Sequence, residues 1–176
     1  EAGFRAGILT VNRLERKEVD YLSVTVGDFN NPSRGKSLAQ GLLGQGADVL
    51  LQLAGNSGLG VIEAVRESSE NCWAIGADLD QDDLVPGRIL VSILKRIDNA
   101  VFEAIRDAKE GRLHPGHRWI GIAEDATGLT EMRHTRDEVP GRALEMIGRA
   151  EVMIREGRLQ ISSRIKDLET FEVPEI

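Results

Sequence analysis

The sequence predicts an α/β domain, a parallel sheet with helices on both of its faces. Short apolar segments alternate with helical ones, the links between them are only a few residues long, and the strand segments are apolar on both sides. A strand–helix–strand–helix–strand order with short links brings neighbouring strands parallel, because each helix carries the chain back to the starting edge through a right-handed crossover.

The elements follow in order. Residues 2 to 15 carry an apolar-periodic helix, and EAGFRAGILTVNR is already helical at its first residue, with no capping side chain before Glu1. The chain therefore reads as a piece of a longer protein, with its missing part expected ahead of residue 1. LSVTVGDF, residues 22–29, mixes β-branched and apolar residues and reads as a strand. Asn31 as N-cap and Pro32 at the first helical position start a helix that runs to a stop at Gly46. ADVLLQLA is the next strand, GVIEAVRESSE a helix and CWAIGAD a third strand. RILVSILKRIDNAVFEAIRDAKEG reads as a short strand leading into a long amphipathic helix. HRWIGIAED reads as a further strand, and VPGRALEMIGRAEVMIREGRLQI as a last helix with a short strand at its end. The Pro/Gly break VPGR at residues 85–88 divides the chain into 1–88 and 89–176.

Composition narrows the function. With 176 residues, 41% hydrophobic and 29% charged, the chain is globular rather than disordered. A net charge of −7, with Lys and Arg scattered among acids, argues against a nucleic-acid surface, which needs clustered cations. The one cysteine, Cys72, excludes an internal disulfide and a cysteine metal cluster, and its apolar WAIG flank marks it as a buried structural thiol. No apolar stretch is long enough to span a bilayer.

In open parallel sheets, ligands lie outside the carboxyl ends of the strands. Three loops qualify: GDFNNPSRG, AGNSGLG and DLDQDD. The glycine loop AGNSGLG leads into a helix, so its amides suit either an oxygen-rich ligand or a tight turn that merely needs glycine. It matches neither the dinucleotide fingerprint nor a P-loop, and no cofactor motif is present. Asp78 closes the third strand, where a carboxylate can accept several hydrogen bonds from vicinal hydroxyls. Asp80, Asp82 and Asp83 lack the glycine and terminal glutamate of a calcium loop and read as a solvated acidic turn. His114 and His117 in HPGH read as a surface turn rather than metal ligands. Ser57 has no nucleophile-elbow context, and no catalytic triad is visible.

The ordered segments FRAGI, VGDFNNPSRGK, QGADVLLQLAGNSGLGVIEAV, AIGADLDQ and PGRILVSILKRIDNAVFEAI, followed by Gly128-Leu129, carry a family resemblance. The sequence resembles the basic membrane protein (BMP) type of ABC-transporter solute-binding lipoproteins, which bind purine nucleosides. The resemblance implies Rossmann-like lobes of the type I periplasmic-binding fold, closing on a ligand between them. By that resemblance the N-terminal lobe is expected to be mostly missing from this chain. Residues 1–88 are then the ligand-binding segment of the second lobe, and 89–176 the crossover and the C-terminal segment returning between lobes. It also implies a substrate-binding component without enzymatic activity, anchored outside the cytoplasm as a lipoprotein and partnered by a membrane permease. Carried over by position, Asp78 falls at the ribose-binding aspartate and Lys95 at a cleft lysine opposite it. Gly55, Asn56 and Ser57 fall at a ligand-bordering segment that is usually Gly-Gly-Thr. The family sets aromatic rings against the purine, whereas Leu50 and Leu51 precede this loop and aromatics are only 4% of the chain, which leaves stacking to the missing lobe. Two alternatives stand beside it: a ligand-responsive regulator built on the same lobes, and a sugar or nucleoside enzyme on a Rossmann-like sheet. A lone lobe with its cleft side uncovered is expected to bind nucleosides weakly and to self-associate.

Overall fold

The computed structural model describes residues 1–176. The chain forms two compact units: residues 1–23 with 141–176, and residues 24–140. The VPGR break lies inside the second unit, in the link between two paired strands.

The first unit holds α1 (Ala2–Glu15), α5 (Gly141–Arg155) and a 3-10 turn at Ile165–Thr170. Ala2, Ala6 and Thr10, spaced by four, form the buried stripe of α1, and Thr10 Oγ1 donates back to Ala6 O. Tyr21 stacks its ring under Arg5, 4.9 Å from the guanidinium carbon. Arg142 on α5 pairs with Glu15 at 3.0 Å. No strand follows α5; residues 156–164 form turns and irregular backbone.

The second unit is an α/β layer. Its sheet has the order β1 (Val49–Leu51), β2 (Trp73–Asp78), β3 (Ile89–Lys95), β4 (Thr127–Leu129). The first three strands are parallel and β4 is antiparallel to β3. α2 (Pro32–Leu43) and α3 (Gly58–Glu67) cover the rung formed by Leu50, Ala74 and Ile89, and Cys72 is buried in the same core. Asn31 caps α2 by accepting from Arg34 N–H at 3.0 Å, with Pro32 at N1. Beyond Leu43, Ala47 N–H donates to Leu42 O and Gly46 N–H to Leu43 O, closing a Schellman turn around Gly46 at φ +92°.

Two expected strands do not form. Residues 22–29 are irregular, because this stretch is the connection between the units. Tyr21 is held by α1, Asp28 and Phe29 are held by Ser57, and Leu22 and Val24 stay exposed, so no apolar face is buried to offset ordering. Residues 117–125 also leave the sheet. Trp119 is 95% exposed, and the place beside β3 is taken by Thr127–Leu129, anchored by Thr127 Oγ1 donating to Leu94 O at 2.8 Å.

α4 (Ile97–Lys109) contributes no buried side chain. Ile97, Val101, Phe102 and Ile105 all face solvent.

Much of the glycine loop's composition answers to packing. A Cβ on Gly60 would lie 1.9 Å from Pro32 O, and one on Gly35 2.1 Å from Ser57 O, so α2 and the start of α3 approach at backbone distance. Gly60→Ala is expected to lower stability by roughly 2–3 kcal/mol, as overpacking against rigid backbone does. Gly41→Ala, in α2 with open space around it, should gain up to about 1 kcal/mol from helix propensity alone. Urea denaturation of the two variants checks the contrast.

Candidate functional site

β1 and β2 are parallel neighbours, so their carboxyl ends share one edge of the sheet, and β3 ends beside them in register, with Leu94 opposite Asp78. That edge gathers Gly55, Asn56 and Ser57 after β1, Asp78 at the end of β2 and Lys95 at the end of β3.

Lys95 Nζ lies 3.0 Å from Asp78 Oδ1, and the two side chains are 65% and 55% exposed. An exposed pair contributes at most about 1 kcal/mol, so it is not what joins β2 to β3. It presents an acceptor and a donor, side by side, to whatever occupies the edge. Lys95 is not at a helix start: Arg96 intervenes before α4 and pairs with Asp98 in its first turn. Nor does it face Asp78 across a cleft, since both residues stand on adjacent strands of one sheet. Asp78 itself has φ +72°, a left-handed conformation that costs a non-glycine residue roughly 1–2 kcal/mol.

The loop residues divide their roles. Gly55, at φ +57°, makes the turn that leads into α3. Asn56 is exposed and donates from Nδ2 to Asn30 Oδ1 at 2.9 Å. Ser57 is fully buried; its hydroxyl donates to Asp28 O at 2.6 Å and accepts from Asn31 N–H at 2.9 Å. Ser57 thus ties residues 28–31 to the start of α3 and has no hydroxyl proton left for a ligand. The segment it secures carries Phe29, which is 70% exposed and rests on Gly55, with Cδ1 3.4 Å from where a Cβ there would be. An aromatic face therefore stands at this edge of the sheet, where the sequence reading placed none.

The acidic turn after Asp78 is not uniformly solvated. Asp80 and Asp83 are exposed and share Arg133 as an ion-pair partner, at 2.7 and 3.1 Å, and Asp83 also pairs with His134 at 2.7 Å. The hydrogen bond from His134, then the Arg133 charge, holds the Asp83 carboxyl below its ordinary range. Asp82, in contrast, is 1% exposed; its Oδ1 accepts from Ser92 Oγ at 2.7 Å and Thr130 Oγ1 at 3.1 Å. It is buried because the turn folds inward over β3 and places this one carboxylate between two hydroxyls. Next to it, Gln81 Oε1 accepts from Ala77 N–H at 3.0 Å and from Gln52 Nε2 at 2.9 Å. A polar Gln52 inside the apolar run VLLQLA was the sequence signal for this network. His114 and His117 are exposed beyond α4.

Comparison with known proteins bears on the family and the fold. The profile of the Bmp family, described as ABC transporter substrate-binding protein PnrA-like, matches residues 1–155. Basic membrane protein D of Borreliella burgdorferi is 29% identical over 149 residues, covering 82% of this chain and 42% of that protein. An uncharacterized lipoprotein of Pyrococcus horikoshii is 31% identical over 134 residues, covering 74% of this chain and 33% of its own length. The crystal structure of an ABC transporter solute-binding protein from Aeropyrum pernix superposes with a TM-score of 0.85 at 23% identity, over 96% of this chain and 57% of that one. The chain thus spans well under two thirds of the relatives it matches.

Glycine adopts φ +72° without the Cβ penalty, so Asp78→Gly should leave stability unchanged or raise it by up to about 1 kcal/mol, even though the ion pair is lost. A loss larger than that in urea denaturation would make Asp78 a residue of the fold rather than of the site.

Proposed function

This chain belongs to the Bmp family of PnrA-like ABC transporter substrate-binding proteins, and on that premise we propose that the Asp78–Lys95 edge holds a purine nucleoside. The observation that carries the reading is the open pair at the sheet's carboxyl edge, an acceptor with two oxygens beside a cationic donor. Vicinal ribose hydroxyls can donate to both oxygens of Asp78 while one of them accepts from Lys95 Nζ. The Gly55 and Asn56 backbone lines the approach, Ser57 fixes that loop, and the Phe29 ring offers a face for the base. On this reading the edge binds its ligand without turnover, the Ser57 hydroxyl being spent on Asp28 O. The partner is a membrane permease of an ABC transporter, and the protein works outside the cytoplasm, lipid-anchored in its complete form. The name of the Pyrococcus relative supports that location.

One edge of a sheet leaves the ligand wet on its other side, where each polar contact replaces one to water at little net gain. Affinity for this chain is therefore expected to be no tighter than roughly 100 µM, about 5.5 kcal/mol. Titrating isotope-labelled chain with adenosine, guanosine and inosine should give saturable amide shifts at Gly55, Asn56 and Asp78, and Lys95→Met should weaken binding about tenfold. Equal affinity for 2′,3′-dideoxyadenosine, or submicromolar binding, would overturn the reading.

The bare apolar face of α4 supports a second expectation, that the chain alone self-associates. Sedimentation should show Phe102→Glu shifting it toward monomer; an unchanged distribution would remove α4 from the contact.

A further inference from the structure

Gln81 is the residue most deeply woven into the end of β2, although its own side chain does not meet solvent as Asp78 does. We propose that Gln81 is the positioning residue of the site: its amide fixes the backbone ahead of Asp78 and so aims the carboxylate at Lys95. Only the ligand-affinity part of the inference rests on the nucleoside reading above.

The pairing of β1 with β2 ends at Leu51 and Ile75. Past that point the Ala77 N–H needs another acceptor, since a buried amide without one costs about 1–3 kcal/mol. Gln81 Oε1 supplies it at 3.0 Å, reaching back four residues. The same oxygen accepts from Gln52 Nε2 at 2.9 Å, which stops the amide from rotating away. On the other side, Gln81 N–H donates to Ser92 Oγ at 3.1 Å, and Ser92 is in turn held by Asp82 Oδ1 and by Thr130 Oγ1, which accepts from Ser92 N–H at 2.9 Å. The loop after Asp78 is therefore bolted to β1 through Gln52 and to β3 and β4 through Ser92 and Thr130.

Gly76 shows how close this frame lies. A Cβ there would sit 2.6 Å from Ser92 Oγ and 2.9 Å from Gln81 Oε1. With Ala77 clamped and Gln81 returned over Gly76, the three intervening residues must reverse direction at once, and Asp78 takes φ +72° to do so. A strained backbone persists where its surroundings over-determine it. Without the Gln81 acceptor, Asp78 is free to relax to the extended conformation that β2 otherwise follows, which turns its carboxylate to the opposite face of the sheet from the one it now shares with Lys95.

Two substitutions in the 176-residue chain test this. Gln81→Met keeps the length and removes the acceptor; Gln81→Glu keeps an acceptor oxygen. Three readouts are taken by NMR: the Hα–N coupling and shifts that report a positive φ at Asp78, hydrogen exchange at Ala77, and adenosine affinity. Gln81→Met is expected to abolish the positive-φ signature, to speed Ala77 exchange at least tenfold and to weaken adenosine binding about tenfold, while Ala74 and Ile89 amides stay protected. Gln81→Glu should preserve all three. If Gln81→Met does not fold, Gln52→Met, which removes the bond that steadies Gln81 together with the longer one from Ala54 N–H at 3.3 Å, should show the same changes at smaller amplitude. Asp78 retaining its positive φ in Gln81→Met, or in Gln52→Met where Gln81→Met does not fold, overturns the proposal. Wild-type chain that shows no adenosine shifts instead defeats the nucleoside reading, and the ligand-free measurements at Asp78 and Ala77 still decide the role of Gln81.

Discussion

The backbone-distance contact between α2 and the first turn of α3 is the constraint on which the rest of the second unit depends. It exists because Gly35 and Gly60 carry no side chain where Ser57 O and Pro32 O approach. Helices that close bury a continuous apolar rung, Leu50, Ala74 and Ile89, beneath Val61, Ile62 and Val65. The same approach brings residues 28–31 within reach of the buried Ser57 hydroxyl, which then binds that segment at both Asp28 O and Asn31 N–H. Phe29 is presented at the sheet edge as a consequence. A packing requirement in the core thereby shapes the surface at the carboxyl ends of the strands.

The edge itself combines two kinds of polar group with opposite physical situations. Gln52, Asp82 and Ser92 are buried and hydrogen-bonded to one another or to their neighbours, so each restrains the others in a low-dielectric setting. Asp78 and Lys95 are open to water, where their mutual attraction contributes little to stability. Stiffness lies beneath and exchangeable hydrogen-bonding capacity above. That division suits a binding protein, whose site must keep its geometry while trading water for solute.

The loop rich in glycine shows how one stretch serves several demands. Gly58 and Gly60 leave room for Gln52 and Pro32, and Gly55 takes φ +57° to enter the turn. Of the loop's glycines only Gly55 is exposed, so packing against Gln52 and Pro32 accounts for the others.

By itself the sequence determined what depends on neighbours along the chain. The α/β class, the Asn31-Pro32 start of α2, its Gly46 stop, and the carboxyl-end placement of Gly55 and Asp78 all follow from local periodicity, capping and the rule that parallel strands share their ends. Membership in the substrate-binding family was legible too, because ordered motifs are themselves local. Tertiary structure alone decided which polar groups are buried. DLDQDD gives no local reason for Asp82 to be enclosed between Ser92 and Thr130 while Asp80 and Asp83 meet Arg133, since those partners lie 10 to 53 residues away. It likewise decided that residues 22–29 and 117–125 do not pair, although both have strand composition. A strand is stabilised by the edge it meets, and whether an edge is free is set by the packing of the whole unit, not by the residues that would occupy it.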